Sequence, residues 1–87
     1  MKARRLPVVD EYVDGDQTAV FAGGRVLVLS TVASAVLHAT RESWTDVRDI
    51  ARDAVASVGA PPTGGPEEAV LAVIDELSVG GLVEVSK

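Results

Sequence analysis

The chain has 87 residues, 47% of them apolar, and a chain this short buries only about 60 to 65% of its unfolded surface, so one domain over residues 1–87 is expected and a second is excluded. With no cysteine and a single histidine, disulfide frameworks and thiolate metal sites are out and a zinc site is short of ligands, so neither metal nor cofactor is expected. Thirteen Asp and Glu against eight Lys and Arg give a net charge of -5, which repels a phosphate backbone and argues against nucleic acid as a partner.

The basic start, Lys2, Arg4 and Arg5, is followed only by Leu6 to Val9 before Asp10 and Glu11, too little apolar length for a secretory signal. No apolar run approaches the roughly 20 residues of a membrane span, so a cytoplasmic protein without membrane attachment is expected. Pro7 to Val13 reads as the first strand, ended by the turn cluster Asp14-Gly15-Asp16. Gln17 to Ala22 and Arg25 to Ser30 flank Gly23-Gly24, and two glycines between two β-prone runs predict a tight hairpin, because its turn needs positive φ.

A two-residue turn would pair Ala22 with Arg25, Phe21 with Val26, Val20 with Leu27 and Ala19 with Val28. One face then carries Val20, Leu27 and Leu29, and the other Ala19, Phe21, Val26 and Val28. Both are apolar, whereas a sheet with one wet face alternates more cleanly. Either the chain covers both faces or a partner meets one.

Beyond about residue 30 the apolar spacing stretches to three and four, as in helices. Ser30 or Thr31 caps a first helix running to about Arg41, with Ala33, Val36, Leu37 and Thr40 on its inward stripe. Thr45 is expected to cap a second, with Asp46 in its first turn, Val47, Ile50, Ala51, Ala54, Val55 and Val58 on its apolar face, and Gly59 at its end. Trp44 is expected to staple its entry. Ala60 to Gly65 reads as a loop, and Pro66, Glu67 and Glu68 open a third helix to about Ser78, its stripe made by Val70, Val73, Ile74 and Leu77. Gly80-Gly81 stops it, and Leu82 to Val85 can form a short tail strand.

Catalysis finds little support. Ser34 and His38 stand four apart on one helix, but no oxyanion loop or orienting carboxylate is readable beside them. Asp14-Gly15-Asp16 lacks the remaining ligands of a calcium loop, and Gly23-Gly24 lacks the lysine and helix start of a phosphate loop. Asp46, Asp49 and Asp53 beside Arg48 and Arg52 form a solvated helix face. The expectation is therefore a protein that is not an enzyme and that works by binding.

Three strands followed by three helices carry Val26-Leu27-Val28-Leu29-Ser30, then Ala33 with Val36-Leu37, then Trp44-Thr45-Asp46-Val47 with Ile50, then Val70-Leu71 with Ile74, Leu77 and Gly81-Leu82. In this order and spacing, from about Val8 to Val85, the chain resembles the PqqD-like proteins, the recognition elements of ribosomally synthesised, post-translationally modified peptide pathways. It departs from them at Ala69, where an acidic residue is common, and at Val79-Gly80, where charged residues are common. The resemblance implies an α+β fold of the winged helix-turn-helix-like kind, a three-stranded antiparallel sheet followed by three helices. It also implies binding of the leader region of a precursor peptide, which adds as a strand to the third strand beside the third helix. A maturation enzyme, of the radical SAM type or a lasso-peptide leader protease, would then receive the bound peptide.

The residues agree on the mode, since a three-stranded meander leaves one row of N–H and C=O groups free on its third strand. The candidate site is Arg25, Val26, Leu27, Val28, Leu29 and Ser30 on that edge, with Val70, Val73 and Leu77 of the third helix as candidates to line a groove. Two alternatives remain at this point. One is a small interaction subunit forming a homodimer through the Phe21, Val26 and Val28 face. The other is a winged-helix DNA-binding regulator, opposed by the acidic Glu67, Glu68, Asp75 and Glu76 and the absence of any base on the would-be recognition helix.

Overall fold

A computed structural model describes residues 1–59 and 64–86; the first four residues of the expected Ala60 to Gly65 loop, 60–63, lie outside the described residues, as does Lys87. The elements run β1 (Lys2–Arg5), β2 (Asp10–Asp14), β3 (Gln17–Ala22), β4 (Arg25–Leu29), α1 (Thr31–Ala39), β5 (Thr45–Asp46), α2 (Val47–Val58), α3 (Pro66–Val79) and β6 (Val83–Ser86). The fold is α+β. A three-stranded antiparallel sheet in the order β2-β3-β4 precedes the three helices, and a second small sheet has the order β5-β1-β6.

The β3–β4 hairpin has the expected register, from Ala22 opposite Arg25 to Thr18 opposite Leu29. Gly23 and Gly24 turn the chain at φ of +58° and +75°, the double left-handed conformation whose twist matches the flanking strands. A Cβ at either glycine would meet nothing within 4 Å, so substitution there strains the backbone alone. Gly24→Ala is accordingly expected to lower the unfolding free energy by about 1 to 2 kcal/mol in urea titrations, with no change in the cooperativity of the transition.

The inner face of this sheet buries Thr18, Val20 and Leu29, and α1 packs across it. Ser30 caps α1 by accepting from the Ala33 N–H at 3.2 Å, and Thr40, beyond its end, donates its hydroxyl to the Val36 carbonyl at 2.7 Å. Leu37, Ile50, Ile74 and Leu82, one from each helix and one from the turn before β6, are fully buried together with Val20 and Val36. Side chains three and four apart on each helix meet in this one core. Among the described residues no helix is long and apolar enough to cross a membrane.

The first and fifth strands differ from the expectation. The strand expected over Pro7 to Val13 begins only at Asp10, and an additional strand, Lys2–Arg5, precedes it. This strand pairs antiparallel with the C-terminal β6, Lys2 opposite Ser86 through Arg5 opposite Val83. Its other edge takes Thr45 opposite Ala3, which is fully buried. Thr45 is thereby held in β5, and the cap of α2 is Asp46 instead, whose Oδ1 accepts from the Arg48 N–H at 2.9 Å. The free N–H of Val47, the first residue of α2, is taken by the Met1 carbonyl. Trp44 is half-exposed, with the Arg4 guanidinium 4.7 Å above its ring centre, and Arg4 also donates to Glu84 at 2.8 Å.

The backbone N–H of Arg48, and then its side chain, hold the Asp46 carboxyl below its ordinary value of 3.8. A carboxylate lowered on folding stabilises fully above its unfolded pKa, and the contribution is lost as pH falls through the lowered folded value. The melting temperature of Asp46→Ala should therefore lie below that of the parent at neutral pH, with the gap closing as the pH drops below the ordinary Asp pKa. A gap independent of pH would contradict the capping role.

Candidate functional site

The free edge of β4 follows from the topology. The tail strand β6 pairs with β1, so among the described residues nothing pairs with the outer side of β4. In an antiparallel ladder the residues alternate in the direction of their backbone bonds, and the Ala22–Arg25 pair closes the two-residue turn. Arg25, Leu27 and Leu29 therefore exchange bonds with β3, and the N–H and C=O groups of Val26 and Val28 point to solvent.

Side chains alternate as well. Leu27 and Leu29 turn inward, whereas Val26 and Val28, 63% and 70% exposed, stand on the outer face. Beside the free edge lies a hollow of about 350 Å³, floored by Leu27, Leu29, Ala33 and Leu82 and walled by Glu76, Leu77 and Gly80 of the α3 terminus. Gly80 lets the Leu27 side chain pack close against the end of α3. A Cβ there would come 3.3 Å from Leu27 Cδ1, tighter than ordinary contact.

The expected site residues fall into three positions. Val26, Leu27, Val28 and Leu29 form the edge strand, with Arg25 exposed at its start and Ser30 at its end, bordering the hollow while capping α1. Leu77 lines the hollow. Val70 does not: it is 4% exposed and belongs to the core with Ile74, while Val73 is half-buried at the core margin. The wall is thus one helical turn nearer the C terminus than the Val70-Val73-Leu77 stripe. Glu76 and Gly80 were not expected in it. The signal was present, since Val73, Glu76, Leu77 and Gly80 follow the i, i+3, i+4, i+7 spacing of one helix face.

The outer face of the larger sheet is uncovered. Tyr12, Phe21, Val26 and Val28 stand on it with substantial exposure, bordered by Asp10 and Asp14. This answers the question raised by a hairpin apolar on both sides: the helices cover one face only. The opposite edge strand, β2, carries Asp10, Glu11 and Asp14, charges that discourage a further strand from pairing there.

A polar cluster lies on the inner side of the sheet. Glu11 pairs with Arg5, and its second oxygen lies 3.4 Å from His38 Nε2, which also stands 3.4 Å from Thr18 Oγ1. Ser34 donates its hydroxyl to the Leu29 carbonyl at 3.5 Å, and the carboxylate not readable beside His38 in the sequence is Glu11, brought there from β2. Among the described residues no group of carboxylates and histidine is arranged to hold a metal ion. No family model, curated protein or solved structure matches the chain.

Proposed function

We propose that the protein is a non-catalytic recognition element that binds the leader region of a ribosomally synthesised precursor peptide and presents it to a maturation enzyme. The observation that carries this reading is the unpaired β4 edge with an apolar hollow alongside. In this reading the hairpin and the three helices form a winged helix-turn-helix-like unit of the PqqD-like kind, acting in the cytoplasm. The leader adds as a fourth strand against Val26 and Val28, and its inward side chains enter the hollow between β4 and the end of α3.

The energetics support the division of labour. Two N–H and two C=O groups supply four hydrogen bonds, about 2 to 6 kcal/mol net in all. Micromolar binding requires about 8 kcal/mol. Backbone pairing alone therefore falls short, and aliphatic side chains buried in the hollow, at about 1.5 to 3 kcal/mol each, must contribute. Backbone pairing sets direction and the hollow sets sequence preference.

Calorimetric titration with the leader peptide of a precursor encoded beside this protein is expected to give one-to-one binding at micromolar Kd. No binding to any such leader at millimolar concentration would contradict the reading. The uncovered Tyr12, Phe21, Val26 and Val28 face favours a second one, a small interaction subunit that dimerises through its sheet. Sedimentation at high protein concentration separates the two, because that subunit would run as a dimer without peptide.

A further inference from the structure

The hollow beside β4 is not neutral. Glu76 stands in its wall, exposed, and no described residue forms an ion pair with it. It also stands at the wrong end of its helix. The Glu76, Leu77 and Ser78 carbonyls there already accept from the Gly80, Leu82 and Gly81 N–H groups, so what remains at this end is the residual negative pole of the helix, and the last turn holds no basic residue to meet it. Asp75 adds a second carboxylate at the same end. A carboxylate set against the helix dipole is a local conflict, and such conflicts mark places where a partner supplies the missing charge.

Resting on the proposed peptide-binding mode, we infer that the bound segment is an aliphatic and basic one. An aliphatic side chain enters the hollow lined by Leu27, Leu29 and Leu77, and a Lys or Arg of the same strand reaches Glu76. The alternation of a strand permits this, because residues two apart face the same side, about 7 Å apart along the edge. A segment with Asp or Glu at that position meets like charge. Leaders of mainly acidic sequence are therefore disfavoured and those with a basic residue beside an aliphatic one are selected.

The test uses three synthetic 12-residue peptides, each an alternating Val/Thr strand, with Lys, Gln or Glu at one inward position next to a central Leu. At low ionic strength the parent protein is expected to bind the Lys peptide roughly three- to tenfold more tightly than the Glu peptide, the difference fading with added salt. Glu76→Gln should remove this preference, and Glu76→Lys should reverse it. Equal binding of the Lys and Glu peptides, or a preference that survives Glu76→Gln, overturns the inference and leaves strand addition standing. Failure of all three peptides to bind overturns both. A second measurement needs no peptide: relief of the conflict predicts a higher melting temperature for free Glu76→Gln than for the parent at low salt, and an unchanged or lower one also overturns the inference.

Discussion

Replacing Val28 with proline is expected to reduce affinity for a leader peptide at least tenfold, a loss of about 1.4 kcal/mol or more, while the domain stays folded. The Val28 N–H points away from β3, so proline removes a donor offered to the incoming strand and none used inside the sheet. Leu27 before it already lies in a strand, the conformation that a following proline requires. Val28→Thr removes apolar surface but keeps the N–H, and binding within about threefold of the parent is expected from it. If proline and threonine weaken binding equally, the side chain rather than the main chain is the contact, and strand addition fails. If proline has no effect, the peptide docks elsewhere.

The second large effect concerns stability. Leu37 of α1 is fully buried, in one core with Ile50 and Ile74 from the other two helices. Leu37→Ala removes three carbons and leaves a cavity, at a cost of about 2 to 5 kcal/mol. A chain of this length has about 4 to 13 kcal/mol of total stability, so the variant should unfold at markedly lower urea with an unchanged slope. Val79→Ala, at a position 87% exposed, is the control and should change stability by less than about 0.5 kcal/mol. A small effect at Leu37 would mean that α1 does not pack against α2 and α3 as described.

What could be read from the sequence divides along the range of the interactions. Gly23-Gly24 specified the hairpin because its turn is a property of two residues, and the register followed without further information. The helix stripes were legible for the same reason, since Ala33, Val36 and Leu37, or Val70, Ile74 and Leu77, announce a face by spacing alone. β1 was not legible. Lys-Ala-Arg-Arg has one apolar residue, and it is a strand because Val83 to Ser86, some 80 positions away, pair with it. The same distant pairing holds Thr45 in β5 and moves the helix cap to Asp46, although both residues have capping side chains. The edge strand of the candidate site was visible from its β-branched run. Its companion wall is less legible, because Val70 and Val73 read as surplus apolar positions by spacing although the core takes Val70. Glu76 and Gly80 were hidden by their own chemistry: a charge and a glycine do not signal an apolar hollow.

Amide hydrogen exchange read residue by residue along β4, with and without leader peptide, tests the free edge most directly. In the free protein the Leu27 and Leu29 amides should be protected and those of Val26 and Val28 should exchange fast, in strict alternation. On saturation with peptide, Val26 and Val28 should slow at least tenfold while Leu27 and Leu29 change little. Protection of Val26 and Val28 before any peptide is added would mean that the edge is already occupied, and bound peptide that leaves both amides fast would mean that it sits elsewhere.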